Sequence, residues 1–222
     1  MALSAEEEET IDAIKRWWHE TGRMLAAGIA IILLGWLGWQ QWERMQEGSA
    51  AAASALFDEL TALAVVAPGE TVPAEDRAQA RNLIEELRSE HSGSTYASYA
   101  ALFGARLAVE ANDLATAEQD LQWVLDNQRT SLFSRTEEAL IDTARLRLGR
   151  VILSQGEPDR ALTVISGVEG GPLAGEYAEL RGDIYMAQGQ RSEALEAYQS
   201  AARSGLDNPF LNMKINNLAT DA

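Results

Sequence analysis

Residue types that can do chemistry are few in this chain, and their spacing is poor. It has two histidines, His19 and His91, far apart in sequence, and no cysteine. There is therefore no thiolate nucleophile, no disulfide framework and no cysteine-ligated metal. Paired carboxylates, which can share acid and base work or hold a cation, occur at Glu85-Glu86 and Glu137-Glu138. Both pairs read as solvated helix faces. Ser4 with Glu7 has the spacing of a capping box, so the run Glu6 to Glu9 is assigned to a helix start rather than to a cation site. No phosphate-binding glycine loop, dinucleotide fingerprint, nucleophile elbow or zinc-helix pattern is present. No catalytic residue, cofactor, metal or small-molecule substrate is expected, and an enzyme is the least favoured class.

The 222 residues suffice for one domain plus an anchor, and a hydrophobic content of 46% allows a sizeable core. Thirty-four acidic against eighteen basic residues give a net charge of −16, which repels nucleic-acid phosphates, so no nucleic acid is expected as partner.

From Met24 to Trp42 no residue carries a charge. At 1.5 Å per residue these positions span roughly 28 Å, close to the hydrocarbon core of a bilayer. Trp36, Trp39 and Trp42 follow the apolar run and Trp17 and Trp18 precede it, as in the two interfacial belts. Residues 23–43 are therefore expected to form one transmembrane helix in contact with membrane lipid. A cleaved signal peptide is the rival, with Ala51-Ala52-Ala53 as its cleavage site, but four consecutive glutamates and an overlong apolar run count against it. Lys15, Arg16 and Arg23 precede the run, whereas Arg44 is alone beyond it until Arg77. The positive-inside rule then places segment 1–22 in the cytoplasm and 44–222 outside. His19 and His91 fall on opposite sides. Gly22, Ala26 and Ala30 form a small-residue stripe against which another membrane helix could pack.

Beyond Gly48 the periodicity is helical throughout. Leu56, Leu60 and Leu63 share a face, as do Leu83, Ile84 and Leu87, then Tyr99, Phe103 and Leu107, then Leu140, Ala144, Leu148 and Ile152. Breakers fall at Pro68-Gly69, Pro73, Ser92-Gly93-Ser94, Gly156-Glu157-Pro158, Gly170-Gly171-Pro172 and Asn208-Pro209. Gly149, Gly156 and Ala161 recur as Gly182, Gly189 and Ala194, each displaced by 33 residues, close to the period of a tetratricopeptide repeat. In that motif the first glycine and the alanine let two helices pack closely, and the middle glycine makes the turn. Tyr185, Tyr198 and Ala201 complete the second unit, whereas the first has Ile152 and Ile165 in the aromatic places.

Ala117, Leu121 and Val124 echo Ala161, Ile165 and Val168 at a step of 44, with the eleven extra residues expected in Asp126 to Thr136. Ser49 to Glu90 is expected to cap one end of the stack, and a final helix with Phe210, Met213, Ile215 and Leu218 on its apolar side the other. The fold class is thus all-α, one N-terminal transmembrane helix followed by a tetratricopeptide-repeat-like helical solenoid. Lys214 is the one lysine beyond the anchor. It is read either as solvated or as a contact to an acidic partner or to the domain's own acidic surface.

The segments Ile14-Lys15-Arg16-Trp17-Trp18, Gly38-Trp39, Leu180-Arg181-Gly182-Asp183 and Met213-Lys214-Ile215-Asn216-Asn217-Leu218 together resemble the ancillary SecYEG translocon subunit family. The resemblance implies a single-pass protein of the bacterial inner membrane with its repeat domain in the periplasm. It implies association with the protein-export channel and with a membrane-anchored periplasmic chaperone of the prolyl-isomerase type, in passing emerging chains to periplasmic chaperones. It also implies a cytoplasmic role restraining an envelope-stress regulator, and no catalytic residues. The alternative class is a generic self-associating scaffold for another cell-envelope assembly.

Overall fold

The computed structural model describes residues 18, 22–67, 69–127, 135–168 and 171–220, with the backbone alone at 23, 25–31, 37–38, 40–47, 135–137 and 220. The chain divides into two compact units, Met1–Ala51 and Ala52–Ala222. Among the described residues there are nine α-helices and no strand.

Helix α1, Arg23–Ala64, begins in the first unit and ends in the second. In the first unit the Trp18 indole covers Gly22, where an added Cβ would lie 2.7 Å from the ring. The described apolar side chains Met24, Ile32, Leu33, Leu34, Trp36 and Trp39 are all exposed, by 51% to 80%. Among the described residues no helix is long and apolar enough to cross a membrane. The side chains at 25–31, 37, 38 and 40–42 of the expected anchor lie outside the described residues.

The second unit continues with α2 (Ala74–Glu90), α3 (Thr95–Glu110), α4 (Leu114–Asp126), α5 (Arg135–Ser154), α6 (Pro158–Ile165), α7 (Ala174–Ala187), α8 (Arg191–Arg203) and α9 (Pro209–Thr220). The starts are locally encoded. The Ser94 hydroxyl accepts from the Tyr96 amide, and the Asp113 carboxylate accepts from the amide and hydroxyl of Thr116. Pro158 occupies the first turn of α6, and the Asn208 side chain accepts from the Leu211 amide.

Three hairpins, α3/α4, α5/α6 and α7/α8, turn in the same way. The amides of Asp113, Glu157 and Gln190 donate to the carbonyls of Ala108, Ile152 and Tyr185 at 2.8, 3.2 and 2.8 Å. The residue before each amide is left-handed: Asn112 at φ 58°, Gly156 at 84° and Gly189 at 77°. Asn112 is the one non-glycine residue with positive φ among the described residues, and asparagine tolerates that region best. Its spacing from Gly156 is the 44-residue step, which also aligns the buried Ala105 with Gly149. The first repeat therefore carries alanine and asparagine where the later two carry glycines.

The eleven extra residues are not in the connection. Both the α4–α5 and the α6–α7 connections run for eight residues, 127–134 and 166–173. Instead α4 has 13 residues against 8 in α6, and α5 has 20 against 14 in α7.

Inside the stack the glycines mark close approaches. At Gly149 an added Cβ would meet Ile165 at 2.9 Å and Leu180 at 3.0 Å; at Gly182 it would enter the Tyr198 ring. Ala161, Ala194 and Ala201 are fully buried, as are Ile165 and Tyr177. Burial, with Asp142 nearby, pushes the Tyr177 phenol up to about 12, and its hydroxyl donates to the Asp142 carbonyl at 2.8 Å.

The end of α1 packs Ala53, Leu60 and Ala64 against Ala80, Ile84 and Leu87 of α2 and Ala97 and Ala100 of α3, which gives the stack its first cap. The other cap keeps Ile215 and Leu218 of the expected face of α9 but replaces Phe210 and Met213 by Leu211. Phe210 and Met213 are exposed by 71% and 53%, while Leu211 and Leu218 are buried with Ile215 partly so. Positions 211, 215 and 218 form the stripe that meets α7 and α8, and 210 and 213 fall off it.

Among the described residues one charged group is buried. Asp120 of α4, 1% exposed, accepts from Arg81 at 2.6 Å and Arg88 at 2.8 Å, both from α2, under Gly104 of α3. Arg81 also donates to the Gly104 carbonyl at 3.2 Å, and Arg88 lies 5.0 Å over the Trp123 ring. Burial pushes the Asp120 carboxyl above its usual value against the pull of the two guanidiniums. Asp120→Ala is expected to cost about 3 kcal/mol in urea unfolding, the low end for breaking a buried pair because Arg81 keeps partial access to water. A loss under about 1 kcal/mol would mean the network does not hold α2 to α4. Gly182→Ala should cost about 1–3 kcal/mol by overpacking Tyr198, with hydrogen exchange quickened mainly from 174 to 220. Unchanged exchange there would contradict the close approach.

Candidate functional site

The sequence-selected residues do not converge on one place. Gly149, Gly156, Ala161, Gly182, Gly189, Ala194, Tyr198 and Ala201 lie in turns and helix crossings, and Tyr185 is partly buried at the C-terminal cluster. Gly22 lies under Trp18, Trp36 and Trp39 are exposed, and the side chains of Ala26, Ala30 and Trp42 lie outside the described residues. Glu85, Glu86 and Glu138 are exposed, and His91 closes α2 through its amide to the Leu87 carbonyl. His19 and the side chain of Glu137 lie outside the described residues. Among the described residues no group of three His, Asp or Glu side chains could hold a metal.

Lys214 is held within its own domain. Its Nζ pairs with Glu179 at 2.9 Å and Asp183 at 2.7 Å, and lies 5.3 Å over the Tyr198 ring. The Tyr198 hydroxyl donates to the same Asp183 oxygen at 2.7 Å. Burial disfavours the charged lysine, but the bonds to Asp183 and Glu179 outweigh it and raise the ammonium above its usual value. Burial and Asp183 likewise raise the Tyr198 phenol. The last helix is thus fastened to the last repeat by an acid pair, a lysine and a tyrosine.

An open feature among the described residues of the second unit is a groove between α3 and α5. Tyr99, Leu102 and Phe103 of α3 face Ala139, Leu140 and Thr143 of α5 around a cavity of about 420 Å³. Arg106 and Arg147 close one end of it and open a second cavity of about 300 Å³, floored by Leu114, Leu121 and Val151 and edged by Glu110 and Arg150. Tyr99, Leu102, Phe103 and Arg106 follow the three- and four-residue spacing of one helical face, and Thr143, Arg147, Arg150 and Val151 do so on the facing helix. Six residues that α5 has in excess of α7 are its first six, 135–140, so Ala139 and Leu140 belong to this overhang.

Three arginines meet here. Arg106 is engaged: it donates to the Ala64 carbonyl, pairs with Glu110 at 3.5 Å and lies 5.2 Å over the Phe103 ring. No described carboxylate lies within ion-pair distance of Arg147 or Arg150. Burial, then the charges of Arg150 and Arg106, hold the Arg147 guanidinium below its usual value. The arrangement offers an apolar floor and a positive rim, with Glu110 as the one carboxylate among the described lining residues. The sequence reading missed it because its arginines are separated by forty residues and only the stacking of α3 on α5 joins them.

Comparison with known proteins places this architecture. The model of a tetratricopeptide repeat-like domain matches residues 15–220. The chain is 32% identical to the ancillary SecYEG translocon subunit of Haemophilus influenzae over 98% of its own length and 100% of the relative's. It is 30% identical to the protein of that name from Neisseria gonorrhoeae and 27% to that from Escherichia coli, covering 98% and 99% of this chain and all of each relative. No solved structure matches it. A repeat-like domain matched over nearly the whole chain and relatives of equal extent lead to one conclusion: the chain belongs to the ancillary SecYEG translocon subunit family.

Proposed function

We propose that this protein is a non-enzymatic, membrane-anchored helical scaffold that associates with the SecYEG protein-export channel. In this reading it links the channel to periplasmic chaperones receiving newly exported proteins, among them a membrane-anchored chaperone of the prolyl-isomerase type. The observation that carries it is the end-to-end match to relatives bearing the translocon-subunit name. Equal extent means that the anchor region and the repeats are shared together rather than a repeat module alone.

The layout is a cytoplasmic segment 1–22, a transmembrane helix 23–43 and a periplasmic domain 44–222, in the inner membrane. Support comes from the nineteen charge-free positions after Arg23, the three bases that precede them, and the exposure of every described large apolar side chain in that stretch. Exposed tryptophan and isoleucine on a helix are costly in water and neutral in lipid. The repeats supply a packed helical surface, which suits a protein that binds proteins.

A phosphatase reporter active only outside the cytoplasm should be active when fused after Ala222 and inactive when fused before Met24; the reverse pattern would overturn the orientation. Affinity purification of the full chain from detergent-solubilised membranes, read by mass spectrometry, should recover the export channel and a prolyl-isomerase-type chaperone. Recovery of further copies of this chain without the channel would favour the self-associating scaffold instead. Lys214→Ala should leave channel recovery unchanged while lowering the melting temperature, because its ammonium is committed to Glu179 and Asp183. Loss of the channel at unchanged melting temperature would make Lys214 a partner contact.

A further inference from the structure

We infer that the groove between α3 and α5 is a docking site for an acidic peptide segment bearing aromatic or aliphatic side chains. The inference rests on the reading of the domain as a protein-binding scaffold, and it is independent of which membrane complex that scaffold joins.

Charge identifies the occupant. In a chain with a net charge of −16, a rim where Glu110 pairs with Arg106 but Arg147 and Arg150 have no described carboxylate of their own keeps a net positive charge. Arg147 is held below its usual value by burial and by the other two guanidiniums, so an incoming carboxylate relieves a repulsion as well as forming a bond. Between and beneath these charges, Leu102 and Phe103 line one cavity and Leu121 and Val151 the other. Two apolar cavities separated by an arginine pair match a segment that alternates apolar side chains with acids.

Other occupants fit less well. The chain's own segment 128–134, Gln-Arg-Thr-Ser-Leu-Phe-Ser, has apolar residues but carries an arginine and no acid. The glutamates at 6–9 lie across the membrane in the proposed topology. An anionic lipid surface would meet the rim with a strongly acidic protein behind it, and its headgroups would leave the apolar floor unfilled.

The test uses the full chain in neutral phosphatidylcholine nanodiscs and fluorescence anisotropy of a labelled peptide in which glutamate alternates with phenylalanine and leucine. A counterpart with lysine for every glutamate is the control. Saturable binding is expected for the acidic peptide and none for the basic one. Binding should weaken as salt shortens the Debye length from about 10 Å at 0.1 M to about 3 Å at 1 M. Arg147→Glu with Arg150→Glu should weaken it about tenfold or more. Should that variant melt early by circular dichroism, Arg147→Gln with Arg150→Gln should still weaken binding several-fold at unchanged melting temperature.

Equal binding of both peptides, or affinity indifferent to the arginine variants, would overturn the proposal. So would competition by phosphatidylglycerol vesicles in place of peptide, or a concentration-dependent dimer lost in the same variants. Channel recovery with no peptide binding would sink this inference alone. Peptide binding by a protein that never recovers the channel would support it and sink the translocon reading.

Discussion

Where two helices of this domain cross most closely, one of them can carry no more than a methyl group. Gly149, Gly182 and Ala105 occupy that place in successive hairpins, and Ile165, Leu180 and Tyr198 fill the space the missing side chains leave. The turn that follows each crossing has to reverse the chain within three residues, which requires one left-handed residue. The crossing and the turn together fix the hairpin. The stacking of hairpins then decides which surface is core and which is groove.

This constraint explains what could be read from the sequence and what could not. Two glycines and an alanine at a spacing of 33 announced the second and third hairpins. The first was obscured because alanine does the steric work of glycine at 105 and asparagine supplies the left-handed turn at 112. The extra eleven residues were expected in a loop, since loops tolerate insertion, but the chain spends them on longer helices. Of the apolar face expected on the last helix, Ile215 and Leu218 pack inward, whereas Phe210 and Met213 fall off the stripe and register selects Leu211 instead.

Charge was the least legible layer. Net charge is a property of composition, but the buried Asp120, the Lys214 fastening and the arginine rim are each made by residues from different helices. Asp120 sits on the buried stripe itself, between Ala117 and Leu121, yet in sequence it looks like any acid on a helix. Its role becomes visible only when α2 brings two guanidiniums to it, that of Arg81 against the backbone of Gly104. A strongly acidic chain thus directs its few bases to particular tasks. Two hold the first hairpin to the helix before it, one fastens the last helix, and a cluster is left facing solvent.

The unequal lengths of α5 and α7 bear on stoichiometry. Of the six residues by which α5 outreaches α7, Ala139 and Leu140 line the α3–α5 cavity beside Thr143 and Arg147, and α7 has no counterpart to them. That part of the groove wall is therefore not repeated at α7 as the crossings and turns are. A solenoid with a periodic surface can engage a long ligand at several equivalent steps, and its grip grows with the number of steps occupied. A surface with one overhang lacks that periodicity: among the described residues each chain has one such overhang, and multivalent engagement of it would need several copies of the chain.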